Sequence, residues 1–301
     1  MLAVPDAVRN KAHAAGADAW LEHLPGLVTE IEELWSVSVE RVYNDATEAF
    51  VAAVTTSTGK PAVLKVHIDR EGDQAEREID VLLVAAGNGC ARLLRHDLAR
   101  KALLLEQLGR SLFELGWPMS KRHAVLSDTV AQVWRHRPPA GLPSGAEKGR
   151  WLVDFIQHEW YALDRPCSEA AVDYALACAD RRIEAHDDER AVLVHGDVHQ
   201  WNALEAEGGF KLIDPDGLRA EPEYDLGIIM REDPLPLLTG DPTERASWLA
   251  ARTSLDAGAV WEWGCVERVS TGLLGTRIGL QPVAREMLAA ADRIGAMRPQ
   301  L

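Results

Sequence analysis

Apolar and polar positions follow two different periods along this chain. Residues 17–35 set Leu21, Leu24, Leu27, Ile31 and Leu34 between acidic positions at three- and four-residue spacing, which predicts a helix or helix pair. From Val39 the period shortens to two. Residues 41–44, 50–55 and 62–67 read as valine-rich strands, with a turn at 58–61. Residues 76–86 return to the helical period, and Gly87 and Gly89 stop it. Residues 93–94 and 102–105 predict two more strands around a polar connection.

Beyond Ser111 the helical period dominates, and the Pro- and Gly-rich segment 138–145 marks a loop. Helices are expected at 120–133, 147–161, 168–185, 243–256, 259–274 and 282–296. One β-like island interrupts them: 192–194, then 203–204, a Glu-Gly-Gly turn and 210–213. A sheet-rich first third before a helical remainder predicts an α+β chain of two lobes, 1–108 and 109–301, joined near residues 106–110. Trp151, Trp160, Trp261 and Trp263 fall on the predicted helices and are expected in the core.

At 301 residues, with 47% hydrophobic and 26% charged positions, the composition is that of a globular protein. The apolar runs are cut by charge well short of a membrane span, and the start lacks a signal-peptide pattern, so a cytoplasmic protein with no membrane partner is expected. A formal net charge of −15 argues against a nucleic-acid partner. Cys90, Cys167, Cys178 and Cys265 are scattered, which predicts reduced core thiols without a metal cluster or disulfide framework. Nothing in the pattern sets an oligomeric state.

The chemistry concentrates in the β-like island. Asp197 and Asn202 stand five apart, the spacing of the Asp and Asn in the protein-kinase loop, where the first accepts a hydroxyl proton and the second holds a metal ion. Asp214 ends the following apolar run, where a second magnesium ligand belongs. Lys65 is the one cation in the strand Ala62-Val63-Leu64-Lys65-Val66, which suits a phosphate-binding lysine. Glu78, rather than Glu76, is its expected partner, because Glu78 borders the apolar side of the next helix with Leu82 and Ala85. The turn from Tyr43 to Ala49 offers backbone amides and the Thr47 hydroxyl to a phosphate, without a glycine-rich fingerprint. Thr58-Gly59-Lys60 is not a Walker-type loop, His158-Glu159 lacks a second zinc-ligating histidine, and no Gly-x-Ser-x-Gly elbow occurs.

His195-Gly196-Asp197 with Asn202, Ile213-Asp214-Pro215, and Pro222-Glu223-Tyr224-Asp225-Leu226 resemble the aminoglycoside phosphotransferases, in particular the streptomycin 6-kinase and hydroxyurea kinase branch. Trp20-Leu21 with Leu24-Pro25, Ala91-Arg92-Leu93-Leu94 with His96-Asp97, and Leu103-Leu104-Leu105-Glu106 with Gly109-Arg110-Ser111-Leu112 extend the likeness over nearly the whole chain. The resemblance implies a bilobal protein-kinase-like fold, an N-terminal antiparallel sheet with a helix and a mainly helical C-terminal lobe. It implies a small-molecule kinase using ATP, with GTP as an alternative donor, and Mg2+. On this reading Asp197 is the base, Asn202 and Asp214 are the metal ligands, and Lys65 binds phosphate. Glu106, Gln107 and Leu108 form a hinge whose backbone holds the adenine, His195 and His199 flank the base in support, and Asp225 braces the loop. Trp201 and Asp216 depart from the family pattern beside the expected acceptor site. For a cationic hydroxyl acceptor such as an aminoglycoside, Asp216, Trp201, Glu159, Glu262 and Glu267 are the candidate contacts. A metabolite alcohol, sugar or amino alcohol is the alternative acceptor, and a catalytically silent nucleotide-binding regulator the alternative class.

Overall fold

The computed structural model describes residues 3–44, 46–70, 72 and 74–298. The chain divides into two compact units, Met1–Gly109 and Arg110–Leu301. Helices and strands both occur in each unit, an α+β chain.

In the first unit, helices α1 (Asp6–Ala14) and α2 (Asp18–Trp35) precede strands β1 (Val37–Val42), β2 (Ala49–Thr56) and β3 (Pro61–His67). Helix α3 (Gln74–Ala85) separates these from β4 (Leu93–Asp97) and β5 (Ala102–Glu106). The five strands form one antiparallel sheet in the order β1-β2-β3-β5-β4. Because strand side chains alternate between faces, Phe50, Ala52, Val54, Ala62, Leu64, Val66, Ala102 and Leu104 share one core with α2. The helix meets that core with Trp20, Leu24, Val28, Ile31 and Trp35. Leu34, expected on that face, is 54% exposed, since the two tryptophans rather than the leucine series set the buried stripe. The strand expected at 41–44 lies earlier, because the Val37 pairing with Thr56 starts the ladder and a register shift falls between Val39 and Arg41. Asp45, within the 43–49 turn, lies outside the described residues.

The second unit contains α4 (Met119–Val133), α5 (Gly145–Ala162) and α6 (Glu169–Glu184), then strands β6 (Val192–Val194), β7 (Ala203–Ala206), β8 (Gly209–Leu212) and β9 (Leu218–Ala220). Helices α7 (Glu223–Arg231), α8 (Glu244–Thr253), α9 (Ala257–Arg277) and α10 (Val283–Met297) complete it. Strands β6 and β9 pair, as do β7 and β8, giving two small antiparallel ladders that carry the loops of interest. Ser144 starts α5 with a reciprocal capping box to Glu147. Helix α7, unforeseen as a helix, is buried along all nine residues, so its sequence shows no polar face to betray a period. Trp160, Trp261 and Trp263 are buried as expected. Trp151 is not: it is 54% exposed and stacks on Phe155 at the surface. All four cysteines are buried and none forms a disulfide. Among the described residues, no helix is long and apolar enough to cross a membrane.

Candidate active site

In the first unit the alternation that sends Leu64 and Val66 into the core turns Lys65 and His67 to the other face of β3. Both meet Glu78 of α3. Lys65 Nζ donates to Glu78 Oε1 and Oε2 at 2.9 and 2.7 Å, and His67 Nε2 lies 2.7 Å from Oε2. All three side chains are nearly inaccessible. Burial opposes charge on Glu78, but Lys65 and His67 outweigh it and hold the carboxyl at about 2. The lysine is thus a fixed cation rather than a surface charge. Thr47 is exposed in the turn before β2, and Glu106 accepts the Arg92 N–H at 2.6 Å while Gln107 and Leu108 follow in irregular backbone.

The second unit builds its site around the turn after β6. Gly196 has φ +90°, and a Cβ there would fall 2.9 Å from that of Asp216, so only glycine fits. The turn leaves the His195 and Gly196 N–H groups pointing inward, and Asp225 of α7, fully buried, accepts both, at 3.0 and 2.8 Å. Its second partner on Oδ2 is the indole N–H of Trp134, at 2.9 Å, from the end of α4. Burial raises the Asp225 carboxyl to about 6; the three donors only partly offset it, and repulsion from Asp197 adds to the rise. His195 also locks the loop: its Nε2 donates to the Ile213 carbonyl at 3.0 Å, and its Nδ1 accepts the Asp197 N–H at 3.2 Å.

Asp197 emerges from this scaffold with its side chain 35% exposed. Oδ2 faces His199 Nε2 and accepts Asn202 Nδ2, each at 3.1 Å, and Oδ1 faces Arg231 Nη2 at 3.3 Å. Burial works against ionisation, but the charges of His199 and Arg231 and the hydrogen bond from His199 drive the carboxyl well below its usual range. His199 is correspondingly raised, burial being overridden by Asp197. Asn202 Nδ2 also bonds the Asp197 carbonyl at 3.1 Å, so the amide nitrogen is the end that faces the base. Asp214 is exposed and sits in the left-handed region at φ +56°, a conformation uncommon for residues other than glycine but tolerated by aspartate. Among the described residues no group of three His, Cys, Asp or Glu could hold an ion alone. A magnesium ion, which takes most of its shell from water and phosphate, needs no such group, and two hard oxygen donors suit it.

Three residues escaped the sequence pattern. His67 doubles the grip on Glu78, Trp134 holds Asp225, and Arg231 reaches Asp197. None carries a local motif. Conversely, the acids expected to meet an acceptor are held by arginines: Glu159 by Arg277 at 2.6 Å, Glu262 by Arg182 at 2.6 Å and by Arg181, and Glu267 by Arg231 at 2.8 Å and by the Tyr224 hydroxyl. These are structural pairings, not open carboxylates. Asp216 lies 3.9 Å from Lys148 and remains 44% exposed. Trp201 is 49% exposed and stacks on Phe113, the ring centroids 3.7 Å apart.

Residues 34–264, most of the chain, match the model of the aminoglycoside/hydroxyurea antibiotic resistance kinases. A streptomycin 6-kinase of Streptomyces glaucescens is 29% identical over 220 residues, covering 72% of this chain and 69% of that protein. A hydroxyurea phosphotransferase of Kitasatospora aureofaciens is 29% identical over 225 residues, 71% of this chain and 62% of its own length, less than two thirds. Among solved structures, a choline kinase from Streptococcus pneumoniae shares the fold at a TM-score of 0.62 and 14% identity, covering 91% of this chain and 99% of that one.

Proposed function

The chain belongs to the aminoglycoside/hydroxyurea antibiotic resistance kinase family, and from that premise we propose that it transfers the γ-phosphoryl group of ATP to a hydroxyl of a small molecule with Mg2+ bound. Phosphoryl transfer asks for positioning and charge neutralisation more than for covalent help. Asp197 orients the acceptor hydroxyl and takes its proton. Lys65, fixed by Glu78, meets the nucleotide phosphates, and Asn202 and Asp214 hold the metal, which neutralises phosphate charge when bound. Residues Glu106, Gln107 and Leu108 offer backbone groups to the adenine, and Thr47 offers its hydroxyl to a phosphate. The observation that carries this reading is the Asp197 carboxylate, part-exposed and held by its neighbours on both oxygens.

An aminoglycoside such as streptomycin is the first acceptor to try, on the likeness to the streptomycin 6-kinase. The arginine pairing of Glu159, Glu262 and Glu267 favours a second reading, an uncharged alcohol or sugar, because those acids are already neutralised. The purified protein with ATP and Mg2+ is offered a panel of cationic and neutral hydroxylated acceptors, and products are read by mass spectrometry. A mass gain of one phosphate on any acceptor supports the kinase reading, and its distribution over the panel decides between the two acceptor classes. ATP consumption with no acceptor modified across the panel would count against it.

A further inference from the structure

We propose that Arg231 is the positioning residue that fixes the plane of the Asp197 carboxylate, and that Glu267 and Tyr224 hold Arg231 for this task. The proposal rests on Asp197 being the base. Both contacts to Oδ2 come from the base's own loop, His199 two residues on and Asn202 five. The contact to Oδ1 comes from elsewhere, from the last residue of α7, with Nη2 at 3.3 Å. The χ2 torsion of an aspartate is broad, so a carboxylate held on one oxygen still swings. Held on both, it presents a fixed lone pair to the acceptor.

Arg231 is itself anchored. Its Nη1 donates to Glu267 Oε2 at 2.8 Å, and the other oxygen of Glu267 accepts the Tyr224 hydroxyl, with Arg231, Glu267 and Tyr224 all buried. The planar fork of a guanidinium lets one end serve Glu267 while the other serves Asp197, which a single ammonium cannot do in the same plane. A cation on a general base weakens it as a base. In a loose phosphoryl-transfer transition state that loss matters little and alignment matters much, so the arrangement favours turnover. On this view Glu267 acts on the reaction through Arg231 and not by touching the acceptor.

Arg231→Met combined with Glu267→Gln removes both charges of the buried pair, and the acids that lose a cation, Asp197 and Glu232, are part-exposed. Its kcat is expected to fall by about 10²-fold, the cost of a misplaced catalytic group, with KM for ATP unchanged. Arg231→Lys keeps the charge, and should lose part of kcat in the same pattern. In Arg231→Ala, millimolar guanidinium chloride should raise kcat while sodium chloride does not, a response that a purely structural role would not give. Wild-type kcat in Arg231→Lys and in the folded double variant, or a loss that guanidinium leaves unmoved, would overturn the proposal. An active Asp197→Asn protein overturns the base assignment itself, whereas an inactive Asp197→Asn beside a fully active double variant overturns only the role of Arg231.

Discussion

Replacing Asp225 with alanine would strip the catalytic turn of its brace. In the folded protein the carboxylate accepts the His195 N–H, the Gly196 N–H and the Trp134 indole N–H, at 3.0, 2.8 and 2.9 Å, with none of its own surface exposed. Alanine leaves three donors without an acceptor where water does not reach. Each orphaned buried donor costs roughly 1–3 kcal/mol, so the variant should lose between about 3 and 9 kcal/mol. A domain of this kind has about 5–15 kcal/mol in all. Asp225→Asn is the informative comparison. Its amide oxygen can serve the two donors now on Oδ2, while its NH2 is left facing the Gly196 N–H, so the loss should be nearer one charged hydrogen bond, about 1.5–3 kcal/mol. Urea denaturation at pH 7, followed by tryptophan fluorescence and far-UV circular dichroism, measures both. If alanine costs less than about 1 kcal/mol, or no more than asparagine, the bracing argument is wrong.

The Lys65–Glu78–His67 cluster predicts a pH dependence. The Glu78 carboxyl falls from 4.5 to about 2 on folding, so its stabilisation is complete above pH 4.5 and is lost as pH drops toward 2. Glu78→Gln should cost on the order of 3 kcal/mol at neutral pH, with the gap from wild type narrowing from pH 4.5 down to about 2; a gap constant with pH in urea titrations would contradict this. Helices α7 and α9 cross closely at Gly227, where an added Cβ would meet that of Trp263 at 2.5 Å and the Gly264 nitrogen at 2.8 Å. Gly227→Ala should therefore destabilise by roughly 1–3 kcal/mol, visible as a lowered Tm, and an unchanged Tm would show that the crossing yields.

What could be read from the residues was local. The Asp197-to-Asn202 spacing and the alternation around Lys65 are properties of a few consecutive positions, and both survive in three dimensions. The residues that hold these groups in place are far off in sequence: Trp134 lies 91 positions from Asp225, and Glu267 lies 36 from Arg231. No periodicity marks such partners. Helix α7 was hidden because a helix buried on every side has no amphipathic signature. Leu34 and Trp151 mislead for the opposite reason, since each fits an apolar position of its helix but lies on the side that nothing covers. For Glu159, Glu262 and Glu267, side-chain type alone could not tell a carboxylate awaiting a ligand from one neutralised by an arginine.

The most direct test of the account is Asp197→Ala, assayed with ATP, Mg2+ and whichever acceptor the wild-type protein phosphorylates, with nucleotide affinity measured alongside by calorimetry. Glu78 holds Lys65 within the first unit, so the variant should bind nucleotide as wild type does and transfer no phosphate. Phosphorylated acceptor accumulating at a rate comparable to wild type would contradict the central claim.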